Sequence, residues 1–312
     1  MLLKQVLEMY DLIDRADASG EKVKAFLEER GAKNVTVNRI SGKEGSTDFI
    51  KVVIAGHHGK LAGGNAPTLG IIGRLGGIGA RPEVIGCVSD GDGATAALAA
   101  ALKLVDMQNA GDVLYGDVIV TTHICPDAPT EEHYPVPFMG SPVDMDQMNE
   151  IEVLEEMDAI LSIDTTKGNE IINCRGFAIS PTVKEGYILP VSYDLLQVMK
   201  RVTGQLPHVF ALSTQDITPY SNQLPHVNSI LQPAVATSAP VVGVAITTEV
   251  AVAGCATGAS HATDIEMAAR FAIEVAKDYS TEKCKFYDQE NFEQLLTLYG
   301  DAKKFQTPGK NE

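Results

Sequence analysis

A chain of 312 residues, 45% of them hydrophobic, can bury a sizeable core, in about two domains or in one α/β domain with an insertion. With 41 acidic against 25 basic residues the formal net charge is −16, and no stretch is basic enough to track phosphates, which argues against nucleic acid as a partner. The charged opening, MLLKQVLEMYDLIDRADAS, lacks an apolar signal-peptide region, and five cysteines without a Cys-x-x-Cys pair suit a reducing compartment, so a cytoplasmic protein is expected.

Helical spacing runs over 2–15 and 20–31, with Ser19 or Asp17 to cap the second stretch and Gly31 to end it. VTVNRI (35–40) and DFIKVVIAG (48–56) are strand-like, and TLGIIGRLGGIG (68–79) is a glycine-interrupted apolar run followed by PEVIGCV (82–88). An alanine-rich helix over 94–107 precedes the strand DVIVTTH (117–123), and a proline-containing acidic loop leads to an acidic helix over 146–157. The strand DAILSIDTT (158–166), a helix over 192–203, a polar segment over 205–239, two valine-rich strands over 240–254 and a helix over 263–279 follow. The apolar stretch 234–256 contains Pro240 and Glu249, so it reads as buried strands and not as a membrane span. Strands alternating with helices predict an α/β fold with a mixed, mainly parallel sheet and helices on both faces. One domain over 1–285 is expected, with a peripheral tail over 286–312.

In open parallel sheets ligands sit beyond the carboxyl ends of the strands. The polar residues at predicted strand ends are His57 and His58, Asp90, His123 and Asp164, and His261 opens the last long helix. Histidine and carboxylate oxygen are the ligands of hydrolytic zinc sites and of their cobalt or manganese relatives. A two-metal site needs one bridging carboxylate, and Asp90, at the mouth of a helix and flanked by glycine, suits that place. The plainer alternatives stand beside this. Asp92 fits an ordinary helix cap, His57 and His58 fit a solvated loop, and His133, His208 and His226 lie in proline-rich loops as surface residues. An unpaired carboxylate at Asp164, closing a buried strand, would be costly, which favours a functional role.

The order of these motifs resembles the zinc aminopeptidases of the metallopeptidase H clan, and a bacterial family named only as domain of unknown function 1177 is the nearer likeness. VVIAGHHGK is similar to their Gly-His-x-Asp metal motif, with Gly59 where the aspartate belongs. IGCVSDGDGATAALAAALKL resembles the bridging-aspartate segment, MDAILSIDTTKGNEI the strand ending in the second-site carboxylate, and GASHATDIEMAARF the final histidine turn. The resemblance implies a phosphorylase/hydrolase-like three-layer α/β sandwich and a divalent metal, zinc first. It also implies a metal set of His57, Asp90, Asp164 and His261. Where the clan has a catalytic Glu-Glu pair this chain has HICPD, so His123 or Asp127 would stand in as a ligand, with Glu131 or Glu132 as the general base. LGIIGRLGGIG offers a second alignment, in which Arg74 takes the histidine's place and binds a substrate carboxylate or phosphate. The expected activity is metal-dependent hydrolysis of an amide in a small peptide or amino-acid derivative. The alternative is a degenerate member that binds a small ligand or partner. The expected partners are a small-molecule or short-peptide ligand and, in a homo-oligomer, further copies of the chain, with neither nucleic acid nor membrane.

Overall fold

A computed structural model of the chain describes residues 2–42, 45–74, 87–126, 128, 130–131, 138–252 and 260–309. Two amphipathic helices open it, α1 (Leu3–Ile13) and α2 (Gly20–Glu29), the second capped by the Ser19 hydroxyl accepting from Lys22 N–H. The strands β1 (Val35–Gly42), β2 (Gly45–Ile54) and β3 (Leu69–Gly73) follow, then the long helix α3 (Asp92–Asn109) and β4 (Val118–Ile124). A two-residue hairpin, β5 (Thr130–Glu131) with β6 (Phe138–Met139), precedes α4 (Met145–Glu152) and β7 (Ala159–Thr165). The rest comprises β8 (Gly176–Ile179), β9 (Val183–Lys184), β10 (Tyr187–Ile188), α5 (Tyr193–Thr203), β11 (Val241–Thr247), α6 (Ala262–Ser280) and α7 (Gln289–Tyr299).

The main sheet runs β1-β2-β4-β3-β7-β11-β9-β10, with β8 also pairing β11. Its centre is four parallel strands, β4, β3, β7 and β11, and antiparallel strands extend both sides. Side chains alternate between the faces of a strand, so each face builds its own core. Ile71, Val120, Leu161 and Val244 point to one face, where α1, α2, α3, α5 and α6 cover them. Ile72, Ile119, Ile160 and Ala245 point to the other, covered by Phe210, Ile217, Ile230 and Leu231 of the segment joining α5 to β11. α4 lies on this second face, with Met148 against Phe49 and Val143. The expected α/β sandwich with helices on both faces is what the chain forms.

Three expectations change in detail. The acidic helix ends at Glu152 rather than at 157, because Val153 is already extended. Of the two valine-rich strands only β11 forms through 252, since the chain turns at Thr248, whose hydroxyl accepts from Gly168 N–H and donates to the Val250 carbonyl. The run 68–79 gives one strand ending at Gly73, while its part from 75, and 82–86 of the next predicted strand, lie outside the described residues. The tail carries α7, which buries Phe292, and Phe286 before it is also buried. No described helix is long and apolar enough to cross a membrane.

Candidate active site

The register of the parallel strands assembles the site. Gly73 of β3 pairs with Thr122 of β4 on one side and Ile163 of β7 on the other. The next residue on each strand is therefore Arg74, His123 or Asp164, three neighbours at the carboxyl ends, and Arg74 N–H continues the ladder to the Ile163 carbonyl at 2.8 Å. Alternation turns all three toward the second face, the one that carries Ile72. α3 can approach these strand ends closely because its second residue is glycine: a Cβ on Gly93 would lie 2.5 Å from the Ile163 carbonyl oxygen and 2.6 Å from that of Arg74.

Glu152 ties the row together. Standing at the last position of α4, it places Oε1 2.6 Å from Nδ1 of His123, and its Oε2 accepts from Nη1 of Arg74 at 2.7 Å. All three side chains are almost wholly enclosed. A second Arg74 nitrogen, Nη2, contacts the Met145 sulfur, and the His123 ring packs on Phe49 with centroids 5.4 Å apart. The buried guanidinium thus offsets the buried Glu152 charge, and the carboxylate fixes the orientation of the imidazole.

Asp164 accepts from Thr165 N–H at 2.7 Å and from the Ser229 hydroxyl at 3.2 Å. Burial pushes its carboxyl up to about 7 and the nearby charge of Asp90 adds to the rise, against the Thr165 N–H, Arg74 and Ser229. Asp90 itself lies in the 3₁₀ turn Ser89–Gly91 that leads into α3. Two residues on, Asp92 does not cap the helix as expected. The N-terminal position is Gly91, with no side-chain cap, and the Asp92 carboxylate is buried against Lys167 Nζ at 3.1 Å and the Ser260 hydroxyl at 2.6 Å. Burial raises its pKa, with Lys167, Ser260 and His261 pulling the other way.

The remaining sequence candidates divide. The sheet does not bring His57 into this group. β2 runs antiparallel to β4, pairing Asp48 with Ile124 and Ile54 with Val118, so the residues after β2 emerge at the opposite end of the sheet from His123. There His57 is exposed, its N–H bonded to the Leu114 carbonyl and its ring near Tyr115. Arg74, the residue of the second alignment, instead stands in the row with His123 and Asp164. His261 sits at the start of α6, half-exposed, with Nδ1 3.2 Å from Asp264. Glu131 falls in β5, while Asp127 and Glu132 lie outside the described residues. Sequence reasoning missed Glu152, Lys167 and Ser229.

Does this donor set fit two metal ions? Among the described residues no three histidine, cysteine, aspartate or glutamate side chains gather closely enough to hold one. Arg74 stands between His123 and Asp164 in the row of strand ends, its charge acts on Asp164, and a fixed cation there repels a dication. A two-metal centre does not fit these residues.

A family model described as Protein of unknown function (DUF1177) matches residues 38–309. The chain belongs to that family. No curated protein matches its sequence. Among solved structures, the bottromycin maturation enzyme BotP in complex with Mn is similar with a TM-score of 0.51 at 14% identity, over 89% of this chain and 70% of that one. The cytosol aminopeptidase from Coxiella burnetii is similar with a TM-score of 0.50 at 15% identity, over 89% of this chain and 68% of that one. At such identities the likeness concerns the fold, which is the aminopeptidase-like α/β fold that the motif order implied.

Proposed function

We propose that this chain hydrolyses an amide bond in a small peptide or amino-acid derivative, with His123 as the general base. The supporting observation is the enclosed pair of His123 and Glu152, 2.6 Å apart at the carboxyl end of the central strands. With Nδ1 held by a carboxylate, Nε2 is the nitrogen that takes the proton of an attacking water and returns it to the leaving amine. Glu152 stabilises the imidazolium that forms, and Arg74 holds the second oxygen of Glu152 at 2.7 Å. Asp164, with its carboxyl raised to about 7, retains a proton over part of the neutral range and can donate a hydrogen bond to the substrate carbonyl. Turnover of amino-acid amides and dipeptides is expected, lost about 100-fold or more in His123→Gln. A chain that turns over none of them, with or without added divalent metal, overturns this reading.

A second reading is favoured by the closeness of Asp90 to Asp164, two carboxylates whose charges oppose each other. One divalent ion, zinc by expectation, would draw on this carboxylate pair, and elemental analysis of gently purified protein decides it. A degenerate member that binds its ligand without hydrolysis is the outcome if binding survives and turnover is absent. A cytoplasmic setting and a homo-oligomer complete the proposal, to be checked by fractionation and light scattering.

A further inference from the structure

The layer covering the second face holds a polar group that no described residue satisfies. Asn228 is 3% exposed, and neither its Oδ1 nor its Nδ2 has a hydrogen-bond partner. Burying a carboxamide with both ends unpaired is costly, and a backbone shift normally relieves it. Here no shift is open. The N–H groups of Val227 and Asn228 are both held by Oδ1 of the buried Asp216, at 2.8 and 3.1 Å, while Oδ2 of the same carboxylate holds Ser213. The next residue, Ser229, bonds Asp164, and the Ile230 carbonyl accepts from the Ser162 hydroxyl at 2.6 Å. The chain is therefore pinned on both sides of an unsatisfied side chain, one residue from the contact to Asp164. A second orphan lies in the same layer: Asn149, one turn before Glu152 on α4, uses Nδ2 on the Gln232 carbonyl but leaves the buried Oδ1 without a partner.

We propose that Asn228 is the recognition residue of this site and that it reads an amide presenting N–H and C=O on the same edge. A carboxamide offers one acceptor and, beside it, one donor in the same plane. Its full complement is a group with the reverse pair side by side: a primary carboxamide, a ureido group or a lactam. An ordinary peptide bond is trans, with N–H and C=O on opposite edges, and can meet only one of the two atoms at a time. The enclosed setting sharpens the choice, because a ligand that leaves either atom unpaired keeps the whole cost of burying it. This rests on the amide-directed reading above and names its substrate class.

The experiment is a binding titration on the full chain, followed by NMR, with alaninamide and with alanine N-methylamide. The two probes differ by one methyl, which replaces the N–H lying on the carbonyl's edge. The wild-type chain is expected to prefer alaninamide by about tenfold or more. In Asn228→Ala the preference falls to about one, and thermal melting stays level or rises because an unsatisfied group has been removed. Asn228→Asp, of the same shape but without the donor, also loses the preference. Equal binding of both probes by the wild type, or a preference that survives in both variants, overturns the proposal. An Asn228→Ala chain that melts lower while binding is unchanged also overturns it, since the carboxamide is then holding an ordered water only. The ratio is read without turnover, so a chain that binds with this preference but never hydrolyses the probe refutes the hydrolase reading and leaves Asn228's role intact.

Discussion

The two ends of the central sheet use the same residue types for different work. At the amino end, Asp117 accepts from Gly56 N–H at 2.8 Å and Leu61 N–H at 3.0 Å, and Asp158 accepts from Thr68 N–H at 2.7 Å. These carboxylates close turns on backbone groups that any residue would supply, and the ionisable partner that Asp158 also meets, Lys60 Nζ at 2.6 Å, stands at an exposed place. At the carboxyl end, Glu152 meets an imidazole and a guanidinium, and Asp164 meets a hydroxyl beside a second carboxylate. Those partners are specific side chains, each held by its own strand or helix. Backbone partners make a carboxylate structural, whereas ionisable partners in an enclosed place leave its charge and proton open to chemistry.

The contrast is tested most strongly at Glu152. Glu152→Ala leaves a guanidinium without its counter-charge in an enclosed place, and is expected to cost about 3–5 kcal/mol of stability by urea titration. A cost below about 1 kcal/mol would mean that the ion pair is not a working part of the fold. Next comes pH. Unfolded, Asp164 loses its proton near 3.8, and folded it does so near 7. Between those values the folded chain holds a proton that the unfolded chain has released, so stability falls as pH rises through the window and the loss is complete above the folded value. A shift of about three units corresponds to at most about 4 kcal/mol. Urea midpoints taken stepwise across the window should decline in the wild type and stay flatter in Asp164→Asn. An equal slope in both proteins places the proton elsewhere.

At the amino end the expectation is smaller and different in kind. Asp117→Ala strands two backbone N–H groups and is expected to cost about 2 kcal/mol, with turnover and probe preference unchanged once the folded fraction is allowed for. A variant that is stable but inactive would erase the distinction between the ends.

How much of this was legible beforehand follows from what a sequence encodes locally. Strand ends are visible as places where an apolar run meets a polar residue, which is why Asp90, His123, Asp164 and, by the second alignment, Arg74 were found. Glu152 was hidden because it lies in an acidic segment, NEIEVLEE, that reads as a solvated surface. Its one signal was phase: Glu152 falls four residues after Met148 and three after Asn149, on the buried stripe of α4. Asp92 misled for a similar reason. An aspartate at a helix start has the pattern of a cap whether it bonds the backbone or, as here, a lysine 75 residues away. Asn228 gave no signal at all, since a carboxamide in a proline-rich polar segment is ordinary until its burial is known.

His57 carries the smallest expected effect and the sharpest test of the division between the ends. Composition shows that 48–56 is a strand but not which way it runs, because alternation and β-branching read the same in both directions. Pairing supplies the direction: β2 is antiparallel to β4, so a histidine three residues past Ile54 belongs with Leu114 and Tyr115 and not with His123. The side chain is exposed and its contacts are aromatic edges at the surface. His57→Ala is therefore expected to change stability by no more than about 0.5 kcal/mol, and to leave turnover and bound metal at wild-type levels, whereas His123→Gln removes turnover in the same assay. Should His57→Ala instead lose turnover or metal alongside His123→Gln, the functional site includes the amino end, and the assignment of chemistry to the row of Arg74, His123 and Asp164 does not stand.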